Sequence, residues 1–267
     1  MASSPIPQPS SDPPSTNDDT LSLPRILCLH GGGVNAEVFS LQARSLNRSL
    51  RPHFRLVFAD GPYFCAAGPG IGDVYGAYGP FRRWLRWLPE HPAVDDGAAA
   101  EEILYALRGA MRDDAGTGPW VALLGFSQGA KVAASLLYDV QQARKKGYIP
   151  ILEGDWKFAV LLQGRHPLVS LSHYTRHPAI VNAGAISEGF DYPGVLGEKL
   201  WMPTVHVHGL SDVGLPLHRK MLKQYCDPKG VTLVEWDGDH RVTVKKQDVA
   251  MVCEAIYKVA RSQGIDC

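Results

Sequence analysis

Val121-Ala122-Leu123-Leu124-Gly125-Phe126-Ser127-Gln128-Gly129-Ala130-Lys131 runs from an apolar strand through Gly-x-Ser-x-Gly into a helical pattern. Trp120 to Leu124 lie ahead of the turn, and Ala130, Val132, Ala133, Leu136 and Leu137 follow it at helical spacing. Five residues of this kind also describe an ordinary glycine-rich turn; the flanking strand and helix are what point to a nucleophile elbow at Ser127. In an elbow the serine takes strained backbone angles, and the two glycines lack the Cβ atoms that would strike the adjoining strand and helix. The hydroxyl then stands clear of the sheet above a helix N-terminus, whose free N–H groups favour the negative charge that acyl transfer develops.

Working back from the elbow, Leu23 to Leu29 reads as a strand ending in His30-Gly31-Gly32-Gly33, with a helical pattern from Asn35 through Leu50. A glycine turn after an early strand is where such a site obtains its second oxyanion-hole N–H, the first being that of Gln128. Gly32 is the expected donor, with Gly33 the alternative. A phosphate loop is excluded by spacing, since neither Gly-x-Gly-x-x-Gly nor a following Lys-Ser/Thr is present. Phe54 to Ala59 is a further strand. Residues 60–92 then carry no clear period yet hold Tyr63, Phe64, Tyr75, Tyr78, Phe81, Trp84 and Trp87. That is too aromatic for disorder. Two readings stand: a lid or pocket wall over the elbow, with Phe81, Trp84 and Trp87 lining an apolar acyl site, or aromatics packing the loop onto the sheet. Arg82, Arg83 and Arg86 either support those rings through cation–π contacts or meet the phosphate of a carrier-bound acyl chain.

Beyond the elbow, Lys157 to Gln163, Thr204 to His208 and Val231 to Trp236 read as strands, and residues 164–200 as a loop-rich rim. Helical patterns cover Ala98 to Met111, Pro216 to Tyr225 and Lys245 to Arg261. Strands alternating with helices predict an α/β fold, a mainly parallel central sheet covered by helices. A serine needs a base and the base an orienting carboxylate. Among the ten histidines, only His240 follows the last strand. His206 and His208 lie within a strand, and His218 and the rest lack a strand end in the right order. Asp212, after the strand ending at His208, competes with Asp227, Asp237 and Asp239; Asp227 precedes a proline, and the other two are too near His240 in sequence. Carboxyl ends of parallel strands share one crevice. Ser127, Asp212 and His240 therefore form the predicted triad, in the chain order of an α/β-hydrolase.

Lys plus Arg and Asp plus Glu both number 27 in 267 residues, so no overall field draws nucleic acid or an anionic membrane. Five cysteines without paired spacing suggest neither a disulfide framework nor a zinc site, and no cofactor or metal is expected. With no apolar span or signal segment, a soluble cytoplasmic protein is expected. Residues 1–22, rich in Ser, Pro and Asp, read as a disordered tail, and residues 23–267 as one domain.

Leu29-His30-Gly31-Gly32-Gly33, the Gly125-Phe126-Ser127-Gln128-Gly129-Ala130 elbow, His208-Gly209-x-x-Asp212 and Gly238-Asp239-His240 together resemble the fungal serine hydrolase family, FSH1-type, an α/β-hydrolase branch. The likeness runs from about Pro24 to Arg261. The stretch from Gly68-Pro69-Gly70 to Gly79-Pro80-Phe81-Arg82-Arg83-Trp84 is similar to that of members serving fungal polyketide pathways. The resemblance implies a thioesterase or esterase that releases a finished acyl chain from the carrier domain of a polyketide synthase in secondary metabolism. Val213-Gly214-Leu215-Pro216 after Asp212, and Asp239 before the histidine, depart from the family pattern.

Overall fold

The structure is a computed structural model that describes residues 18–194 and 196–267. In chain order its main elements are β1 (Arg25–Leu29), α1 (Ala36–Gln42), α2 (Arg44–Leu50), β2 (Arg55–Ala59), β3 (Tyr63–Cys65), α3 (Ile71–Tyr75), β4 (Phe81–Arg83) and α4 (Asp96–Asp113). The second half adds β5 (Trp120–Phe126), α5 (Gln128–Lys146), β6 (Phe158–Leu162), β7 (Val169–Ser170), β8 (Val181–Asn182), β9 (Thr204–Gly209), α6 (Leu215–Tyr225), β10 (Val231–Trp236) and α7 (Lys246–Ser262).

Six strands form one sheet in the order β10-β9-β6-β5-β1-β2, every neighbouring pair parallel. Alternate residues of a strand face opposite sides, and here both sides are covered, which is why the central strands read as unbroken apolar runs. Leu27, Leu29, Leu123, Ala159 and Leu161 pack with residues of α4 and α5 on one face. Ile26, Cys28, Leu124, Phe158, Val160, Val205 and Val207 pack with α2 and α7 on the other. After β1 the chain moves outward to β2, and after β5 it moves the opposite way to β6. The carboxyl ends of β1 and β5 thus flank the switch point where open α/β sheets form a crevice.

The helical pattern from Asn35 to Leu50 is two helices meeting at Ala43. No proline or glycine marks the break, so periodicity alone ran through it. Asn35 caps α1, its side chain accepting from the Val38 N–H. Residues 60–92 contain an antiparallel pair, with Tyr63 opposite Arg83 and Cys65 opposite Phe81, where a loop without strands was expected. Strands of three residues are too short to display a period. The segment is stitched to the first glycine turn: Gly33 N–H donates to Arg82 O, Arg82 N–H to Val34 O, and Gly68 N–H to Gly33 O. Residues 164–200 likewise hold the short parallel pair β7–β8.

Residues 1–17 of the predicted tail lie outside the described residues. From Asp18 onward the chain is held in place. Asp18 Oδ2 is 2.5 Å from Arg55 Nη1, whose guanidinium also pairs with Asp114 at 2.7 Å. Leu21 O accepts the Thr117 N–H. Arg55 needs counter-charges on both sides, and one comes from the expected tail. Among the described residues no helix is long and apolar enough to cross a membrane.

Candidate active site

Ser127 sits between β5 and α5 with φ 52° and ψ −111°, a conformation that a non-glycine residue keeps only when its surroundings impose it. Those surroundings require its glycines. A Cβ at Gly125 would lie 2.3 Å from Gly129 O, and one at Gly129 would lie 2.1 Å from Leu29 O. Ser127 N–H donates to Leu162 O, tying the elbow to the neighbouring strand.

Asp212 follows β9 and His240 follows β10, so the three predicted residues come from the ends of three strands and meet. His240 Nδ1 is 2.5 Å from Asp212 Oδ2, and His240 Nε2 is 2.9 Å from Ser127 Oγ. Gly214 N–H donates to Asp212 Oδ1 at 2.7 Å. Burial opposes ionisation of Asp212, but the bonds from His240 and Gly214 outweigh it and hold the carboxyl below its usual range. An anionic Asp212 accepts the Nδ1 proton, leaving Nε2 bare toward the serine hydroxyl. Asp227, Asp237 and Asp239 make no such contact: Asp227 caps a short 3-10 turn and Asp239 pairs with Arg241.

Of the two expected donors, Gly33 N–H is bonded to Arg82 O, whereas Gly32 N–H has no partner among the described residues. Gln128 is the first residue of α5, where a backbone N–H has no partner within the helix. A Cβ at Gly31 would lie 3.0 Å from the Phe126 ring and 3.6 Å from Ser127 Cβ, so the turn lies directly against the elbow. His30 organises it from below. Its Nε2 accepts the Gly61 N–H, its Nδ1 faces Gly31 O at 2.6 Å, and its carbonyl accepts the Trp84 indole N–H. Burial pushes the His30 pKa down to about 4, and the neutral ring donates from Nδ1.

The predicted pocket residues divide. Trp87 lies over the glycine turn, its ring 2.9 Å from where a Gly32 Cβ would stand. Trp84 is fully buried in the main core, and Phe81 packs with Val34 and Val38. These two are therefore the support of the wall, not its surface, because their areas are taken up by the sheet and α1. Arg82 and Arg83 stack over Phe64 and Tyr63, and Arg86 donates to the carbonyls of His91 and Pro89. The cation–π reading describes the first two, and Arg83 is buried.

Three side-chain contacts escaped sequence reasoning. Gln163, at the end of β6, is the one other non-glycine residue with positive φ (53°) among the described residues. Its Nε2 donates to Asp239 O and Arg241 O, clasping the loop on both sides of His240. The Gln128 side chain accepts from Trp84 N–H and Leu85 N–H and donates to Leu85 O, so the residue after the nucleophile also anchors the aromatic segment. His218, fully buried on α6, places Nε2 3.6 Å from Asp212 Oδ2, outside hydrogen-bond range. A glutamine has no signature spacing, and helix position hides what its side chain reaches.

Asp212, His218 and His240 offer ligand atoms within 4.8 Å of one another, a gathering that no sequence spacing announced. The 2.5 Å separation of Asp212 Oδ2 and His240 Nδ1 is that of a hydrogen bond. Two atoms ligating one zinc at about 2.0–2.2 Å stand about 3.3 Å apart.

Residues 20–252 match the sequence family described as Serine hydrolase (FSH1). The chain is 46% identical over 251 residues to the esterase citA of Monascus ruber, covering 92% of this chain and 96% of that one. It is 44% identical over 257 residues to the esterase claE of Penicillium crustosum, with 93% and 97% covered. Among solved structures, acyl-protein thioesterase 2 of Zea mays superposes with a TM-score of 0.54 at 16% identity, over 91% of this chain and 96% of that one. The Bacillus cereus carboxylesterase superposes with a TM-score of 0.51 at 18% identity, over 90% of each. Those two likenesses show a shared α/β-hydrolase fold.

Proposed function

The chain belongs to the FSH1 serine hydrolase family and is a hydrolase, and from that premise we propose that it cleaves an acyl thioester or ester through an acyl-enzyme on Ser127. Ser127 Oγ attacks the carbonyl carbon while His240 Nε2 takes its proton. Asp212 keeps the imidazole in the required tautomer and stabilises the imidazolium. The N–H groups of Gln128 and Gly32 receive the oxyanion. Collapse expels the thiol or alcohol, which takes the proton from His240. Water, deprotonated by His240, then attacks the acyl carbon and frees the acid. The observation that carries this reading is one imidazole spanning a buried carboxylate at 2.5 Å and a strained serine at 2.9 Å. A protein that only bound its ligand would have no use for that arrangement.

The esterase names of the relatives support an ester or thioester substrate. The aromatic segment beside the oxyanion turn, together with the likeness to polyketide-pathway members, favours release of a polyketide chain from a synthase carrier domain. Five free cysteines support a reducing cytoplasmic setting. The test presents matched acyl groups as pantetheine thioester and as simple oxygen ester to wild type and Ser127→Ala. Turnover should fall on the order of a thousand-fold or more in the variant. Full activity of Ser127→Ala would end this reading. Thioester preference in the wild type supports chain release, whereas ester turnover without it favours a general carboxylesterase, the reading closest to the relatives' names.

A further inference from the structure

We propose that Lys131 and Arg165 form a subsite for an anionic group, carboxylate or phosphate, carried by the substrate; this deepens the hydrolase reading and rests on it. Lys131 lies one helical turn beyond the nucleophile, its backbone N–H donating to Ser127 O. Helical side chains lean toward the helix N-terminus, here toward the elbow. Lys131 is 7% exposed, and its Nζ donates to Ser187 Oγ at 2.6 Å. An ammonium carries three donors, so two remain.

Arg165 follows β6 and packs against the loop after β9 that carries Asp212. A Cβ at Gly214 would stand 2.8 Å from its Nη2 and 2.9 Å from its Nε, and Gly214 is the residue whose N–H holds the Asp212 carboxylate. The Arg165 Nε is buried with no acceptor. Among the described residues neither Lys131 nor Arg165 has a carboxylate within ion-pair distance, whereas Arg25, Arg55 and Arg82 each do. Asp191 is taken by Lys220 at 2.6 Å. Burial first, and Arg165 second, push the Lys131 pKa down to about 7. Gly164 and Ala130, their chain neighbours, are in contact, a Cβ at Gly164 standing 3.1 Å from Ala130 Cβ. A buried Lys131 and a half-buried Arg165 held on these touching segments without a counter-ion are costly to keep. Arg165 follows the carboxyl end of β6, and Lys131 lies one helical turn beyond Ser127, which follows the carboxyl end of β5; an anion between them completes the donors of both.

The test compares nitrophenyl half-esters of succinic, adipic and sebacic acid with their methyl-capped, neutral counterparts. An acyl-pantetheine thioester is set against its phosphopantetheine form. Wild type should favour the anionic member of at least one pair by roughly tenfold or more in kcat/KM. A half-ester preference places the anion on the acyl chain, and a phosphopantetheine preference places it on the leaving group. In Lys131→Met and in Arg165→Gln the ratio of anionic to neutral kcat/KM should collapse toward one, and Arg165→Lys should restore part of it. A merely structural role would lower both members together and leave the ratio intact, which would overturn the proposal. So would equal rates on every pair in wild type; the hydrolase reading would then survive, since the neutral esters are still cleaved through Ser127. Calorimetric binding of adipate and of its neutral diamide, adipamide, gives a readout independent of turnover. Tighter binding of the diacid that is lost in Lys131→Met supports the subsite, and equal binding removes it.

Discussion

At the scale of single residues, the site depends on two kinds of position: atoms that must be absent and donors that must be aimed. Gly129 is the clearest of the first kind, because its missing Cβ lets Leu29 O approach to within 2.1 Å of where that carbon would lie. Gly129→Ala forces β1 and α5 apart at the elbow. It should cost about 1–3 kcal/mol in urea unfolding and reduce turnover as well, since the same shift moves Ser127. Gln163 is of the second kind. Its amide holds the carbonyls of Asp239 and Arg241 while its own backbone is bonded to Val207 O. Gln163→Ala frees the His240 loop, and kcat should fall by about ten- to a hundredfold. A merely structural loss would lower stability and leave the kcat of the folded fraction unchanged.

Among the elements, the aromatic segment is held by the catalytic helix itself. The Gln128 side chain supplies the acceptor for two backbone N–H groups, at 2.7 Å from Trp84 N and 3.0 Å from Leu85 N. Gln128→Leu keeps the backbone N–H proposed for the oxyanion yet leaves those two groups without a partner, at a cost of about 1–3 kcal/mol each. Amide exchange at Trp84 and Leu85 should accelerate, and thermal stability should drop. Unchanged exchange there would show that the segment is held by Trp84 burial alone. In the segment, Trp84 and Phe81 pack inward while Trp87 lies against the glycine turn at Gly32. Sequence could not apportion them, because aromatic content gives the area to be buried and not which side of the chain buries it.

Across the whole molecule, buried imidazoles set the response to acid. Burial pushes His206 and His218 down to about 3, and His30, His166 and His208 down to about 4. Each ring is neutral in the fold and, once unfolded, takes a proton near the ordinary value of about 6.5. The unfolded chain therefore binds more protons below that pH, and stability is lost as pH falls from about 6.5 toward about 4. Each ring contributes a slope of up to about 1.4 kcal/mol per pH unit. Urea midpoints measured from pH about 7 down to about 5 should fall steadily, and a flat profile would contradict neutral burial.

The order strand, Gly-x-Ser-x-Gly, helix, with a strand-end aspartate and then a strand-end histidine, was legible from sequence because each rests on local rules: period, turn chemistry and the absence of Cβ. The parallel α/β sheet followed from the same alternation, and the structure has it. Tertiary structure alone decided what contacts are made across the crevice. The Gln163 clasp, the second role of Gln128, the buried His218 beside Asp212 and the packing of Arg165 on Gly214 join segments far apart in the chain. Their side chains are ordinary in sequence and acquire their roles only when the ends of β5, β6, β9 and β10 are brought together. The tie of Asp18 to Arg55 likewise gives order to residues whose composition reads as tail, because a half-buried guanidinium recruits whatever carboxylate the chain can bring to it.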